Sequence, residues 1–582
     1  MRFAVAFVTM LIALVLVGTG FAQRTLLKPA DHVSVAADVP GDTHYVVIPG
    51  SLLASHGSGQ QLQLAGSGTV FAGYGRTADV TAWLSGQRYT ELQVADGGTA
   101  VTSVARTAPV VNGLRGGAPD PDGSDLWMEQ RTAQDRLDWK TNLPRSVSVI
   151  VASDGAGPAP STVRITWPVD TATPLAVPLI VAGGLLAVVG LLLLAWALVH
   201  VRRSRGPRRK APPKSPKRPQ PPRYRPQRPS SAPPVAQRGR RSVSHRIALG
   251  GAGVVAVLVG AVLVPGGAAP AGAATKPVEA SITEPQATRI AHRVAEVAAA
   301  ADKARDAGAA AERFAGAALA LRKASYAIRA KDKGADLPQA VPLKNATTRL
   351  ILPEATATWP RTLFVVLEDP AKRTGTKKSA PLALAMVQAD PRADYKVHFA
   401  MSLQPSAVLP DLPSALNGAT RLNDATPVLE IAPGELGADY GALLRDSGSA
   451  AAKQFDVSHD ELAEGVGEAA KKKVAKKLGS TAGITFKDLP SGPGSVVALS
   501  TAKAGALVAV QLDEQWTVKP KRTGVTVRPS GGTRILSKIS ATSKGIVSVY
   551  GYQLLFAVPS AGSNEPAVLL GYAQGLVSAK EL

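Results

Sequence analysis

The sequence predicts a membrane protein with three transmembrane helices, a mostly-β, sandwich-like first outer domain and an α+β second outer region. Three apolar runs predict the helices, and they are Phe3–Ala22, Leu175–Val201 and Ile247–Val264. Residues between the first two runs alternate between apolar and polar side chains as half-buried strands do. The remainder shows helical periodicity followed by strand-like segments. The length of 582 residues predicts roughly three to four structural units along the chain.

The first apolar run, in residues 1–22, has two interpretations. Its length suits a membrane anchor. Small residues at Gly20 and Ala22 also fit the cleavage site of a signal peptide. Both alternatives send the following segment out of the cell. Residues 175–201 form the second span, and residues 247–264 form the third.

The positive charge of the chain is concentrated between the second and third runs. The net charge is +23, and residues 201–246 hold 16 lysines and arginines without one acidic residue. Many prolines and mutually repelling charges prevent a packed core, so we interpret residues 202–246 as a disordered, basic, proline-rich linker. A single tyrosine, Tyr224, supplies no stacking platform for bases, which argues against nucleic-acid binding.

This linker also predicts the orientation of the chain in the cell membrane. Basic residues flank the two apolar runs on the linker side, and the positive-inside rule assigns that side to the cytoplasm. We therefore expect a multi-pass protein with residues 23–174 and 265–582 extracellular and residues 202–246 cytoplasmic. The linker would contact anionic lipid or present a polyproline ligand to a cytoplasmic partner. The candidate lipid- or partner-binding residues are Arg202, Arg203, Arg205, Arg208, Arg209, Lys210, Arg238, Arg240 and Arg241.

The first outer domain, residues 27–170, is predicted to be a β sandwich. Glycine, proline and aspartate separate short segments that are rich in β-branched residues. Helices are expected at Ala78–Leu84 and Leu126–Asp138. The expected strands are His32–Val39, Tyr45–Ile48, Gln61–Ala65, Thr69–Ala72, Leu92–Val94, Val147–Ala152 and Val163–Trp167.

The second outer region is predicted to contain two α+β units, residues 278–425 and 430–582. Thr283-Glu-Pro-Gln286 reads as a capping box that opens a helix running to about Ala320. Ser458-His-Asp-Glu461 reads as a second box, which opens a helix to about Leu478. Strands are expected after each of these helices, and the last two, Ser548–Val558 and Ala567–Gln574, are expected to pair.

This order of elements resembles two tandem domains of the nuclear-transport-factor-2-like (cystatin-like) cone fold. The likeness rests on the repeated helix-then-sheet order and on the long paired strands at the C-terminus. The whole layout is similar to uncharacterised multi-span cell-envelope proteins of actinobacteria, some of which carry a tentative glycosyltransferase label. Abundant alanine, glycine and proline agree with such an origin. The resemblance implies concave sheet faces that hold ligands or partners.

One acidic cluster could hold a metal ion. Asp120, Asp122 and Asp125 surround Gly123 as in part of a calcium loop, because hard cations bind several oxygens on a tight turn. Arg131 stands where such a loop carries its bidentate glutamate, so an ordinary solvated turn is the alternative. Asp120 and Asp122 also match the metal-binding pair of a glycosyltransferase. The alternating βαβ pattern of a nucleotide-binding domain is missing, however. Ca²⁺ is the one cofactor that the sequence suggests.

Two further groups of residues have alternative interpretations. Aromatic residues lie on or beside the predicted strands and would either fill the core or line the concave faces; they are Trp359, Tyr395, Trp516, Tyr550, Tyr552 and Phe556. Lys471–Lys473, with Lys476 and Lys477, would complement the C-terminal end of a helix or contact an anionic polymer.

The motifs of common enzyme classes are missing from the sequence. There is no cysteine, no G-x-S-x-G motif, no Walker loop and no histidine pair with zinc-binding spacing. We therefore expect a non-enzymatic membrane protein that presents extracellular binding or scaffold domains to an envelope protein or polymer. The alternative is an envelope enzyme or accessory factor that acts on cell-wall glycan.

Overall fold

A computed structural model of the chain describes residues 2–27, 30–95, 100–114, 116–155, 157–169, 173–204, 279–344, 346–370, 379–492 and 494–582. The predicted third span, Ile247–Val264, and the linker after Ser204 lie outside the described residues. The chain divides into two compact units. One unit comprises Met1–Lys28 and Ala172–Lys276, and the other comprises Pro29–Thr171 and Pro277–Leu582.

The elements up to residue 204 follow the predicted order of a helix, a β-rich domain and a second long helix. In chain order they are α1 (Arg2–Arg24), β1 (His32–Asp38), β2 (Tyr45–Ile48), α2 (Gly50–Leu53), β3 (Gln60–Arg76), α3 (Thr77–Trp83), β4 (Arg88–Val94), β5 (Val101–Thr107), β6 (Glu129–Thr141), β7 (Val147–Ala152), β8 (Thr162–Pro168) and α4 (Ala176–Ser204).

Helices α1 and α4 belong to the same unit and pack against each other in antiparallel orientation. Both are long and apolar enough to cross a membrane. Gly20 lies against Ile180, and Gly190 lies against Met10, so the two helices run in opposite directions. A Cβ atom at either glycine would come within 3.0 Å of the facing helix. Small residues therefore permit the close approach that membrane helices use for packing.

Residues 30–169, which we call the barrel segment, form one eight-stranded sheet in the order β1-β8-β3-β7-β2-β4-β5, with β6 on β3. The sheet curls until its ends meet, since Ser103 Oγ donates a hydrogen bond to Asp38 O at 3.1 Å. The long strand β3 pairs first with β8 and then with β7 on the same side. The result is a barrel-like sheet around an apolar core.

The barrel segment corrects two predictions. The expected sandwich is wrong, because the strands form one continuous sheet instead of two facing sheets. The expected helix Leu126–Asp138 is also wrong, because residues 129–141 form β6 and pair along β3. Leu137 and Trp139 are the buried residues of β6 and lie two positions apart. Cross-strand pairing and this period of two outweigh the local helical tendency.

The elements of residues 279–582, which we call the C-terminal segment, alternate between helices and strands. They are α5 (Glu284–Ala304), α6 (Ala307–Arg313), α7 (Gly316–Lys331), β9 (Thr347–Pro353), β10 (Arg361–Glu368), β11 (Leu382–Gln388), β12 (Lys396–Leu403), β13 (Arg421–Leu422), α8 (Leu436–Arg445), β14 (Phe455–Asp456), α9 (Glu461–Val466), α10 (Glu468–Lys477), β15 (Ala482–Asp488), β16 (Val496–Ser500), β17 (Ala506–Pro520), α11 (Gly531–Ser537), β18 (Ile546–Val558) and β19 (Ala567–Glu581).

The strands of the C-terminal segment form one eleven-stranded, half-barrel sheet in the order β13-β16-β17-β18-β19-β12-β11-β10-β9. The two predicted α+β units therefore share a sheet, which is joined where Leu403 of β12 faces Gly571 of β19. Both faces of the sheet are covered. On β10, Val365 shares an apolar core with Ile290 of α5. Its neighbour Phe364 shares a core with Leu507 from the other half of the sheet.

The first predicted capping box is confirmed, and the helix after it is shorter than expected. Thr283 caps α5, with Gln286 reciprocating and a proline inside the first turn. The helix ends at Arg305, whose φ of 56° is left-handed. Gly316 has a φ of 50° and starts α7. The predicted single helix to Ala320 is therefore three helices.

The second predicted capping box is wrong. Asp460, not Ser458, caps α9, and its carboxylate accepts hydrogen bonds from the backbone N–H groups of Leu462 and Ala463. Gly467 lies between α9 and α10. A side chain would not fit at this position, because a Cβ atom there would lie 2.3 Å from Ala463 O. Aspartate is as good an N-cap as serine. The helix therefore begins after Asp460, two residues later than predicted.

The barrel segment and the C-terminal segment together form one of the two compact units of the chain. Trp359 of the C-terminal segment lies in one apolar cluster with Trp83 and Trp127 of the barrel segment. The nearest described residues of the two segments, Val169 and Glu279, are 110 positions apart in sequence, and the long helix α4 lies between them. Their shared core is therefore a long-range feature of the fold.

Candidate functional site

Asp125 lies at the boundary between the barrel segment and the C-terminal segment. Its carboxylate has no exposed surface. One oxygen pairs with Arg293 Nη1 at 3.2 Å, and the other pairs with Arg313 Nη1 at 2.5 Å. The backbone N–H of Tyr395 donates to the same carboxylate at 3.0 Å. This side chain of the barrel segment is thus held by three donors of the C-terminal segment.

The other two residues of the predicted calcium loop make local contacts. Asp120 Oδ1 accepts from the Asp122 backbone N–H at 2.9 Å, and Asp122 Oδ1 accepts from Gln130 Nε2 at 2.6 Å. Among the described residues, no group of three or more acidic or histidine side chains is arranged to hold a metal ion. The structure therefore does not bring the three carboxylates together as a metal site, and two guanidinium groups pair with Asp125.

Arg313 links Asp125 to a second carboxylate. Its Nη2 lies 3.1 Å from Asp394 Oδ2. Burial raises the pKa of Asp394, and the negative charge of Asp125 raises it further, while Arg313 opposes both effects. An open groove of about 700 Å³ adjoins this cluster, and its charged residues are balanced in sign. Such a balance gives the groove no preference for a charged ligand.

Helix α5 supplies a polar stripe to the same boundary. Gln286 Nε2 donates to Leu126 O at 3.0 Å, and Arg289 Nη1 donates to Met128 O at 3.0 Å. Together with Arg293 these residues occupy positions i, i+3 and i+7, which share one helix face. These residues were not predicted from the sequence, because the apolar face of α5 gives the stronger periodic signal. A row of polar residues with this spacing, beside the apolar face of a helix, indicates that the helix contacts a second part of the protein.

A second buried ion pair joins the two segments near α3. Arg361 Nη2 lies 2.6 Å from Asp79 Oδ1, and the Arg361 side chain has no exposed surface. The Arg361 guanidinium also stacks 3.7 Å from the centre of the Trp359 ring. Nearby, Arg392 donates to the backbone carbonyls of Trp83 and Ser85 at 2.9 Å and 2.7 Å. Arginines of the C-terminal segment thus bind acceptors of the barrel segment.

A separate cavity lies between the two halves of the C-terminal sheet. Strands β12 and β19 pair at only two positions and then diverge. Past that point, the side-chain oxygen of Gln553 accepts from the Ala400 backbone N–H at 2.8 Å. The divergence opens a cavity of about 400 Å³, and helix α7 contributes Leu321 and Arg322 to its wall.

Arg322 is the most unusual group in this wall. Its side chain is 2% exposed, and Nη1 donates to Asp302 Oδ1 at 2.7 Å. The guanidinium stacks 4.2 Å from the centre of the Phe314 ring. Its Nη2 is buried and has no hydrogen-bond partner among the residues that the structure describes. Buried donors are normally satisfied, so an orphaned one needs an explanation.

Amide and hydroxyl groups complete the polar part of the cavity. Gln339 Nε2 donates to Ala380 O at 2.7 Å, and Gln339 Oε1 accepts from Ser402 Oγ. Tyr572 also lines the cavity. Burial raises the pKa of Tyr572, and the negative charge of Glu461 raises it further. The phenol is therefore neutral at pH 7 and can both donate and accept a hydrogen bond.

The predicted aromatic residues and Lys471 belong mainly to the interior. Tyr395, Tyr552 and Phe556 are buried, as expected for core residues. The Lys471 ammonium lies 3.1 Å from Glu514 Oε1, and both side chains are at most 5% exposed. Burial lowers the pKa of Lys471, while Glu514 opposes that shift. Lys471 is thus a partner of a core carboxylate and is not available to a polymer.

The predicted lipid-binding residues are only partly described. Arg202 and Arg203 lie exposed in the last turn of α4, where a positive charge is favourable. The others, Arg205, Arg208, Arg209, Lys210, Arg238, Arg240 and Arg241, lie outside the described residues.

Comparison with known proteins gives one match. A family model described as "Domain of unknown function (DUF8094)" matches residues 278–581, which is just over half of the chain and coincides with the C-terminal segment. No curated protein matches the chain. No solved structure matches it either. The chain therefore belongs to the DUF8094 family, and the matched residues of this chain include α5–α11, the half-barrel sheet and the cavity beside Arg322.

Proposed function

We propose that this chain is a non-enzymatic cell-membrane protein that presents the barrel and C-terminal segments outside the cell as one binding or scaffold module. The observation that carries the proposal is the buried ion pairing of Asp125 with Arg293 and Arg313. Removing one partner of a buried pair leaves an uncompensated charge and typically costs about 3–5 kcal/mol. Two segments joined in this way act as one rigid binding module and do not move independently.

The same contacts support the proposed topology. The barrel segment precedes α4 and the C-terminal segment follows it, yet the two segments share a core. If α4 crosses the membrane, the chain must cross back before residue 279. The apolar run Ile247–Val264 is the part of that stretch with the composition of a span. Three spans, with residues 23–174 and 265–582 extracellular and residues 202–246 cytoplasmic, satisfy this requirement.

The packing of α1 on α4 supports a retained anchor over a cleaved signal peptide. Gly20, which would lie beside the cleavage site, contacts Ile180 of α4. A signal peptide that is cleaved off would not need to pack closely against a later transmembrane helix. In this proposal the basic residues after α4, beginning with Arg202 and Arg203, contact anionic lipid of the inner leaflet.

The proposal also includes the resemblance to the cone fold and the actinobacterial origin. The half-barrel sheet with helices outside it is compatible with two merged domains similar to the nuclear-transport-factor-2-like cone fold. An origin in an actinobacterial envelope agrees with the layout of spans and outer segments. Both would place the ligand or partner outside the cell.

A role on cell-wall glycan is the second candidate, and the cavity beside Arg322 favours it. A glycan-cleaving enzyme usually needs two carboxyl groups that flank the scissile bond. Glu461 is the one carboxylate among the residues that line this cavity. The lining therefore supports binding of a glycan by an accessory factor better than cleavage of it.

Cysteine labelling of intact cells tests the topology, because the chain has no cysteine of its own. Single variants Ser58→Cys, Ser563→Cys and Ser230→Cys report on the barrel segment, the C-terminal segment and the linker. A membrane-impermeant maleimide should label positions 58 and 563 in intact cells and position 230 only after permeabilisation. Labelling of position 230 in intact cells, or of position 58 without position 563, would contradict the proposal.

In-cell crosslinking tests the binding role. A photo-activated crosslinker on the outer segments should recover an envelope protein or polymer. Recovery of neither from intact cells would count against the scaffold function, even if the labelling confirms the topology.

A further inference from the structure

We propose that the cavity between β12, β19 and α7 binds a neutral saccharide unit, with Arg322 Nη2 and Tyr572 among its hydrogen-bonding groups. This inference deepens the proposed binding function, on which its biological sense rests, by naming a ligand class for the module. Four elements converge on the cavity, since Arg322 comes from α7, Ser402 from β12, Gln553 from β18 and Tyr572 from β19.

The buried, unpartnered donor is the first argument for a ligand. Arg322 Nη2 has no partner among the described residues, although the neighbouring Nη1 is fixed by Asp302. An unsatisfied buried donor costs about 1–3 kcal/mol, and more when the group is charged. Asp302 also accepts a hydrogen bond from Tyr326 at 2.5 Å, so the guanidinium is held in place without the second bond. An acceptor from outside the chain would complete the set.

The charge around the cavity indicates that this acceptor is neutral. Asp302 already balances the charge of Arg322 across a distance of 2.7 Å. Glu461 adds a negative charge to the lining. A carboxylate or phosphate ligand would therefore meet a balanced cation and a like charge, and like charges in a partly buried site repel. A hydroxyl oxygen can accept from Arg322 without this repulsion.

The polar groups of the lining suit a ligand that both donates and accepts hydrogen bonds. The side-chain oxygen of Gln553 accepts from the Ala400 backbone N–H, and the same side chain lines the cavity with its amide group. Tyr572 and Gln574 line the same cavity. Sugar hydroxyls offer donors and acceptors to groups of this kind.

Size and apolar surface agree with a saccharide. The volume of about 400 Å³ falls within the range in which proteins bind small molecules. Leu321, Leu337 and Pro338 provide an apolar wall on one side. A sugar ring has an apolar C–H face as well as polar edges, so it can cover this wall while its hydroxyls reach Arg322 and Tyr572.

The test is calorimetric titration of the full chain in lipid nanodiscs, which avoids detergents that carry sugar headgroups. The probes are maltose, cellobiose and N,N′-diacetylchitobiose, with sodium acetate and sodium phosphate as anionic comparisons. At least one saccharide should bind once per chain, and neither anion should bind or compete. Tyr572→Phe removes one hydroxyl without changing the shape of the strand, and it should weaken binding about 5- to 10-fold.

Two further variants make the test specific to the cavity. Ala573→Trp should abolish binding, because a large side chain at this half-buried position fills the space that the ligand needs. Tyr550→Phe is the matched control, since it makes the same change on the neighbouring strand outside the cavity, and it should bind as the unaltered chain does. These variants avoid truncating Arg322, whose loss would also break the pair with Asp302.

Three results would overturn the inference. The first is that none of the three saccharides binds. The second is that a saccharide binds equally well to the Ala573→Trp variant, which would place it elsewhere. The third is that acetate or phosphate binds in the cavity in its place. None of these results bears on the cysteine labelling or the crosslinking, so failure of this inference is distinguishable from failure of the proposed function.

Discussion

Asp79 and Arg361 form a buried ion pair across 282 positions of sequence, with Oδ1 and Nη2 separated by 2.6 Å. The pair connects a short helix of the barrel segment to the first residue of β10 in the C-terminal segment. Helix α4, which has the length and composition of a membrane span, lies between the two residues in the chain. The fold of the unit that the barrel and C-terminal segments form therefore depends on contacts between parts of the chain on either side of that helix.

Asp125→Ala should strongly destabilise the joint between the two segments. The change leaves the buried Arg313 and the half-buried Arg293 without their shared carboxylate, and breaking a buried pair costs about 3–5 kcal/mol. Thermal or chemical unfolding in nanodiscs measures the effect. The matched control is Asp122→Ala in the same loop, where the side chain is exposed and the expected change is about 0.5 kcal/mol or less. Equal losses in the two variants would show that Asp125 does not join the segments.

Calcium should leave the stability of the protein unchanged. A ligand that binds the folded state raises the midpoint of unfolding by mass action. Asp125 is already bound by two guanidinium groups, and Asp120 and Asp122 use their carboxylates in local hydrogen bonds. We therefore expect the same melting temperature in excess calcium and in chelator. A rise with calcium that Asp122→Asn removes would restore the calcium loop as an explanation.

His398 should make the protein less stable below its usual pKa. Burial lowers the pKa of His398 from the ordinary value of 6.5, and the charges of Arg421 and Lys396 lower it further. Between the lowered pKa and 6.5 the unfolded chain binds more protons than the folded chain, so stability falls as pH decreases through this window. Above pH 6.5 this contribution is fully present.

Chemical unfolding at a series of pH values from neutral to mildly acidic measures this dependence. His398→Gln should make the curve flatter in that window. The control His292→Gln changes an exposed histidine of α5 and should keep the slope, because His398 remains. A slope that survives in the His398→Gln variant would assign the pH dependence to other groups.

Gly183→Leu should separate α1 from α4, whereas Gly184→Leu should not. A Cβ atom at Gly183 would lie 2.7 Å from a Val17 side-chain carbon, but no atom lies within 4 Å of the same position at Gly184. The two variants add the same side chain to adjacent residues of one helix. A cysteine pair at Gly20 and Ile180, in a chain that otherwise lacks cysteine, reports the contact through disulfide formation in membranes.

The expected result is loss of the disulfide in the Gly183→Leu background and its retention in the Gly184→Leu background. Equal crosslinking in both would contradict the packing of the two helices. Failure of the cysteine pair in the otherwise unaltered chain would contradict it as well.

Several elements were predictable from local sequence because the physical signal is itself local. Thr283 and Gln286 satisfy each other's backbone groups within one turn, and the capping box is visible in four residues. The strands β7 and β10 consist mostly of apolar residues, as expected where both sides of a strand are buried. The two described apolar helices follow from the length of their apolar runs.

The errors occurred where a distant partner decides the local structure. Residues 129–141 are polar enough to suggest a surface helix, yet β3 offers them a complete edge for pairing. Asp125 looks like a loop ligand until Arg293 and Arg313 are placed beside it. No sequence pattern marks Arg322. It stands out only because its buried Nη2 has no hydrogen-bond partner among the described residues, and that depends on the tertiary structure.

The apolar helices, the concentrated basic charge after α4 and most of the strands can be predicted from sequence, because each depends on the composition or periodicity of neighbouring residues. Only the tertiary structure decided that the barrel and C-terminal segments form one unit, and that the C-terminal sheet opens into a cavity beside Arg322. Those features depend on pairs such as Asp79 with Arg361, whose members are hundreds of residues apart. The attraction between such groups becomes strong only when folding brings them together away from water.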